Sequence, residues 1–178
     1  NNLTDLESFA NNNFSRELAD LEVVINHFKT QKEVDSNHII LIGHSRGGGV
    51  SVIKASENKN ITKLITLASI STLDRFPKNE AFENWKKDGV YYIEHARTKQ
   101  QLPHYFQFFE DYENNKERFD VEKACRNLTI PSLFIHGSAD EAVESKHSEN
   151  LHHWTKDSQF KIIENANHTF GAKEPWEE

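Results

Sequence analysis

Three residues in this chain have the types and settings for acyl-transfer chemistry: Ser45, Asp140 and His168. Ser45 lies in Gly43-His44-Ser45-Arg46-Gly47, a Gly-x-Ser-x-Gly pattern. A serine hydroxyl is a weak nucleophile, so it needs a base within reach and must stand clear of the backbone that carries it. A histidine can be that base, and a carboxylate can fix its tautomer and stabilise the imidazolium it becomes. The pattern alone is common; its setting makes it informative. An apolar run, residues 38–42, stops at Gly43, and a helix-compatible stretch, 48–58, comes after it. A tight strand-to-helix turn strains the serine backbone and crowds the residues two before and two after it. Gly43 and Gly47 have no Cβ to clash there. The start of the helix also sets the backbone N–H of Arg46 beside the nucleophile, where an oxyanion would form.

Such chemistry needs elements that bring the three residues together. Residues 61–68 read as a second buried strand, 130–135 as a third with Pro131 at its entry, and 160–163 as a fourth. The third runs out into His136-Gly137-Ser138-Ala139-Asp140, the fourth into Asn165-Ala166-Asn167-His168. Residues 1–13, polar and asparagine-rich, read as a loop. Ser15 reads as the cap of an amphipathic helix running to Lys29, with Leu18, Leu21, Val24, Ile25 and Phe28 on one buried face. Asp120 reads as the cap of a short helix, 121–127, and a further helix covers 145–155. Near-continuous apolar runs separated by helices point to an α/β fold with a mostly parallel sheet and helices on both faces. Groups just beyond the carboxyl ends of such strands converge on one edge, which would gather Ser45, Asp140 and His168.

Residues 74–119 interrupt the alternation and hold more than half of the chain's aromatic residues. Residues 89–93 read as a short strand with 98–102 as its returning partner. Pro103 then suits the first turn of a helix to about residue 114. Most of these rings read as the packing of an inserted αβ segment; the functional reading is a cap that supplies an apolar pocket.

The composition narrows the function classes. At 178 residues the chain is the length of one domain, and its net charge of −7, with no basic cluster, argues against a nucleic-acid partner. No apolar run reaches the length of a membrane span. The single cysteine, Cys125, allows no internal disulfide and reads as a reduced structural thiol. No secretory signal is visible, and the expected compartment is cytoplasmic.

The motifs together resemble the α/β-hydrolase family, and within it the small esterases and the dienelactone-hydrolase or prolyl-peptidase-like members. The matching pieces are Gly-His-Ser-Arg-Gly-Gly at the nucleophile, Ile-Pro-x-Leu-x-Ile-His-Gly-x-x-Asp-x-x-Val at the acid, and Ala-x-His-x-Phe at the base. The resemblance implies that Ser45, Asp140 and His168 form a catalytic triad, with the Arg46 N–H as one oxyanion donor and no cofactor or metal. Glu141 adjoins Asp140, but the family's Gly-x-x-Asp spacing from Gly137 selects Asp140. His44 is expected to pack under the turn, His136 to be structural, and His147, His152 and His153 to lie on a surface helix. The family's fold opens with several further strands and a loop that gives a second oxyanion N–H. It also continues past the catalytic histidine into a final helix, where this chain closes on Glu-Pro-Trp-Glu-Glu. Residues 1–178 are therefore expected to form the C-terminal portion of one α/β-hydrolase domain within a larger hydrolase, with 74–119 as a cap-like insertion. The nucleophile strand would then present an uncovered apolar edge, open to self-association.

The expected function is a serine hydrolase cleaving small-molecule carboxylic esters through an acyl-enzyme. The alternatives are a prolyl-peptidase-like serine peptidase and a catalytically impaired hydrolase-like binding module.

Overall fold

The computed structural model describes residues 2–95 and 97–172, so the closing Glu-Pro-Trp-Glu-Glu run lies outside the described residues. In chain order the elements are α1 (Leu6–Ala10), α2 (Phe14–Lys29), β1 (Ile39–His44), α3 (Arg46–Glu57), β2 (Ile61–Leu67), α4 (Glu80–Asp88), β3 (Val90–Glu94), β4 (Gln101–Tyr105), α5 (Gln107–Asn114), α6 (Val121–Asn127), β5 (Ser132–Gly137), α7 (Lys146–Trp154) and β6 (Ser158–Ile163). They form two compact units. One comprises Asn1–Asp20 and Asp74–Glu117, the other Leu21–Leu73 and Arg118–Glu178.

The second unit is built on a parallel four-stranded sheet in the order β1-β2-β5-β6. The apolar runs of the sequence form its strands, and register decides which of their residues are covered. Leu64 and Thr66 of β2 and Phe134 and His136 of β5 share one face and are fully buried. There α3 packs on β1 and β2, α7 packs on β5 and β6, and α6 bridges the two helices. Val52, Ile53, Cys125 and Leu151 fill the space between. Burial pushes the Cys125 thiol up to about 12, so it stays protonated and inert. On the opposite face Ile40 and Ile42 of β1 are exposed, and β1 is an edge of the four strands. Among the described residues, no helix is long and apolar enough to cross a membrane.

One polar anchor ties the latter half of α2 to α3. The Lys54 side chain is only 4% exposed, and its ammonium donates to Glu22 over 3.0 Å, while Asn58 donates to the same carboxylate. The Lys54 hydrogen bond first, and that of Asn58 second, hold the Glu22 carboxyl below the usual glutamate range. A depressed carboxyl pKa stabilises the fold above the unfolded-state value of about 4.3 and loses that contribution as pH falls through the folded-state value. Glu22→Gln should therefore lower stability by about 1–2 kcal/mol at pH 7. That is less than the roughly 3–5 kcal/mol of a fully buried pair, because Glu22 is 40% exposed. The difference from the parent should close below pH 4, as thermal melts across pH 3–8 would show.

The first unit departs furthest from the sequence expectations. Residues 1–13 are not all loop, because Asp5 caps α1 by accepting from the Ser8 N–H. The cap of α2 is Asn13, whose Oδ1 accepts from the Arg16 N–H, and not Ser15, which binds Asp111. In α2 itself Leu18 and Ile25 are buried as expected, whereas Val24 and Phe28 are exposed. Pro103 lies inside β4, opposite Tyr92, instead of opening a helix. A two-stranded ribbon has only edge strands, where a missing N–H is tolerated. Phe76 gathers Phe108, Phe109 and Tyr112 into an aromatic cluster, with ring centroids 5.0–6.1 Å from its own, and Trp85 is buried beside them.

Candidate active site

The turn between β1 and α3 places Ser45 at φ 54° and ψ −123°, a region that costs a non-glycine residue about 1–3 kcal/mol. Hydrogen bonds on both sides hold it there: the Ser45 N–H donates to Leu67, and the Ser45 carbonyl accepts from Gly48 and Ile70. Close packing adds to them. A Cβ on Gly43 would come within 3 Å of Ser51 and of the Gly47 backbone, and one on Gly48 would strike Ser69. Gly47 faces open space, so the expectation that it relieves crowding is corrected, and Gly48 has that role. Arg46 is the first residue of α3, which puts its amide next to Ser45 at a helix N-terminus.

Asp140 lies just after β5 in a tight loop, its side chain entirely buried. Its Oδ1 accepts from the Ala142 and Val143 amides, both at 2.9 Å, and its Oδ2 accepts from His168 Nδ1 at 2.8 Å. Burial alone would raise this pKa. The hydrogen bonds from His168, Val143 and Ala142 outweigh burial and hold the carboxyl below the usual aspartate range. Glu141, its neighbour in sequence, is exposed.

His168 stands in the loop after β6, with Nε2 3.1 Å from Ser45 Oγ. A carboxylate oxygen only accepts, so Nδ1 carries the proton and Nε2 is left with a lone pair facing the serine hydroxyl. That arrangement can take a proton from Ser45 without disturbing Asp140. The loops bearing His168 and Asp140 are joined directly: Ala139 N–H donates to the Ala166 carbonyl over 3.0 Å, and Asn165 N–H donates to Ser138 Oγ over 2.8 Å. Gly137 permits this approach, since a Cβ there would overlap the Ala166 carbonyl. Gly137→Ala should push the two loops apart. We expect a stability loss of about 1–3 kcal/mol, which a thermal melt beside the parent would measure.

The other histidines separate by their partners. His136 is fully buried, with Nε2 donating to the Val143 carbonyl and lying 3.2 Å from Asp140 Oδ2, and Nδ1 paired with Ser148, so it adjoins the Asp140 carboxylate as well as the helix behind β5. His147 binds Ser71, and His152 binds Ser158. His44 does not pack under the turn. It is exposed, and its Nε2 donates to the His168 carbonyl over 2.8 Å. Its type and its place next to Ser45 were visible in the sequence, but a contact spanning 124 positions was not.

Ser45 thus stands on a strained strand-to-helix turn, with His168 and Asp140 joined to it in one hydrogen-bonded line. The model of the prolyl oligopeptidase family matches residues 6–176. The chain belongs to that family. This prolyl oligopeptidase family member also shares the α/β-hydrolase fold with solved structures. It resembles Est1E from Butyrivibrio proteoclasticus with ferulic acid bound, at 20% identity and a TM-score of 0.70, covering 91% of this chain and 63% of that one. It likewise resembles the esterase domain of a Rhodothermus marinus protein, at 19% identity and a TM-score of 0.60, covering 90% and 62%. A monoacylglycerol lipase from Paleococcus ferrophilus aligns at 15% identity and a TM-score of 0.64, covering 88% and 67%. The chain thus spans less than two thirds of the length of the first two structures. No curated protein sequence matches it.

Proposed function

We propose that this family member is a serine hydrolase that cleaves carboxylic esters through an acyl-enzyme. The observation that carries the reading is the continuous line Asp140 Oδ2···His168 Nδ1 and His168 Nε2···Ser45 Oγ, at 2.8 and 3.1 Å. Ser45 Oγ attacks the ester carbonyl while His168 Nε2 takes its proton. The tetrahedral oxyanion forms beside the Arg46 amide, and one such donor is worth about 2.7–4 kcal/mol of transition-state stabilisation. Collapse expels the alkoxide, which leaves as the alcohol with the proton from His168. A water then gives a proton to His168 and attacks the acyl-Ser45 carbonyl. The second collapse frees the acid and returns the proton to Ser45. Asp140 stays ionised throughout and balances the imidazolium charge.

The ester preference is favoured by the names of the similar structures, two esterases and a lipase. A second reading, a peptidase, is favoured by the family match itself. The aromatic cluster of residues 74–119 supports the further proposal that this segment acts as a cap offering apolar groups a binding surface. A panel of aryl and alkyl esters beside the matching anilides and prolyl amides separates the two readings. Ester turnover lost in Ser45→Ala, with the amides untouched, is the expected result. Amide cleavage at comparable kcat/KM would overturn the ester preference. Hydrolysis that persists in Ser45→Ala would overturn the mechanism.

A further inference from the structure

The reaction as written leaves His44 without a task, although it adjoins the nucleophile and touches the base. Its Nε2 lies 2.8 Å from the His168 carbonyl oxygen, and the two rings are tilted at 50° with centroids 4.7 Å apart. A carbonyl oxygen only accepts, so His44 Nε2 must carry a hydrogen and donate it.

How the His168 loop is held gives this bond its importance. Upstream, Asn165 and Ala166 are tied to Ser138 and Ala139. Downstream, the loop closes on itself, with the Asn167 side chain accepting from the amides of Thr169 and Gly171. Between these anchors His168 meets the Ser45 turn at two points: its Nε2 faces Ser45 Oγ, and its carbonyl accepts from His44. His44 and Ser45 are consecutive residues of one turn held by backbone hydrogen bonds. The His44 bond therefore fixes the main chain of His168 in the frame of the nucleophile.

The two tethers do not persist equally through a reaction cycle. Once Ser45 Oγ is acylated it has no hydrogen to donate to His168 Nε2, and that tether is lost. The bond from His44 to the His168 carbonyl does not involve Oγ and remains. Asp140 still holds the ring at Nδ1 over 2.8 Å, and the His44 bond then keeps the main chain of His168 in the frame of the acylated Ser45 turn while the imidazole activates water.

We propose that His44 is a positioning residue for His168 and acts chiefly on deacylation. The proposal rests on the acyl-enzyme reading above. Its signature is a split between kinetic constants, because kcat/KM reports steps up to acylation whereas kcat includes deacylation.

The test is stopped-flow hydrolysis of 4-nitrophenyl acetate by the intact protein and its His44→Phe, His44→Gln and Ser45→Ala variants, with melting temperatures measured alongside. Phenylalanine keeps a ring but removes the donor, whereas a glutamine amide can reach the same carbonyl. His44 is exposed, so neither change disturbs a core. For His44→Phe we expect kcat to fall about tenfold and kcat/KM by no more than about threefold. A burst of 4-nitrophenol should grow, and His44→Gln should recover most of the parent kcat. Equal falls in kcat and kcat/KM, a kcat within twofold of the parent, or no rescue by glutamine would each overturn the positioning role. Parent-like turnover in Ser45→Ala would instead overturn the acyl-enzyme reading, and the role of His44 with it.

Discussion

Asp140→Asn will lower kcat about ten-thousandfold and leave the protein folded. The reason is the pattern of donors around the side chain. Two backbone amides, of Ala142 and Val143, point at one carboxylate oxygen, so the asparagine must turn its own oxygen to that side. Its NH2 group then faces His136 Nε2, which keeps the Val143 carbonyl as its acceptor, and His168 Nδ1, where Asp140 Oδ2 now accepts. A donor there forces Nδ1 to accept, which moves the histidine hydrogen to Nε2. A protonated Nε2 cannot take the Ser45 proton. Turning the amide the other way would set NH2 against two N–H donors, at a cost of about 1–3 kcal/mol for the unpaired groups. Turnover of an ester substrate beside a thermal melt reads both halves of the prediction. A kcat within tenfold of the parent would show that Asp140 does not set the tautomer.

His168→Ala will cost more, about 10⁵–10⁶ in kcat, because base and nucleophile act as a unit and losing either abolishes the same step. The loss should fall in kcat far more than in KM, since the hydroxyl of Ser45 remains in place to be approached but is no longer deprotonated. Added imidazole should restore part of the rate, as a titration of imidazole against initial rate would report. His168 is about one quarter exposed on its side chain, so the site opens to solvent on one side. A loss of less than a hundredfold would mean that another group serves as the base.

That Ser45, Asp140 and His168 would come together was readable in the sequence for a simple reason. Each comes after an apolar run long enough to be a buried strand, and parallel strands deliver the residues beyond their carboxyl ends to one edge. The runs themselves became β1, β2, β5 and β6 with boundary shifts of one or two residues. Local signals failed where several competed. Asn13 and Ser15 are both good caps, and the structure uses Asn13 while Ser15 turns to Asp111. The missed helix α4 did carry its marks, Asn79 as the N-terminal cap and Gly89 at φ 75° after its last turn, but its charged surface hid the apolar stripe.

Long-range contacts other than those of Ser45, Asp140 and His168 were not legible. Gly137 is small because Ala166 approaches it, and His44 matters because its hydrogen bond ends on His168, and neither fact has a local trace in the chain. The exposure of Val24 and Phe28 is of the same kind. A helical stripe shows which residues are apolar, and only tertiary packing shows which of them are covered.

The measurement that reaches the centre of the proposal is the intact mass of the protein after exposure to a fluorophosphonate, with Ser45→Ala and His168→Ala treated in parallel. Such a probe forms a stable bond only with a serine whose proton is being removed. We expect one adduct per parent molecule, mapped to Ser45, and none on either variant. A folded parent that takes up no label, or a label that survives Ser45→Ala, would contradict the assignment of Ser45 as an activated nucleophile.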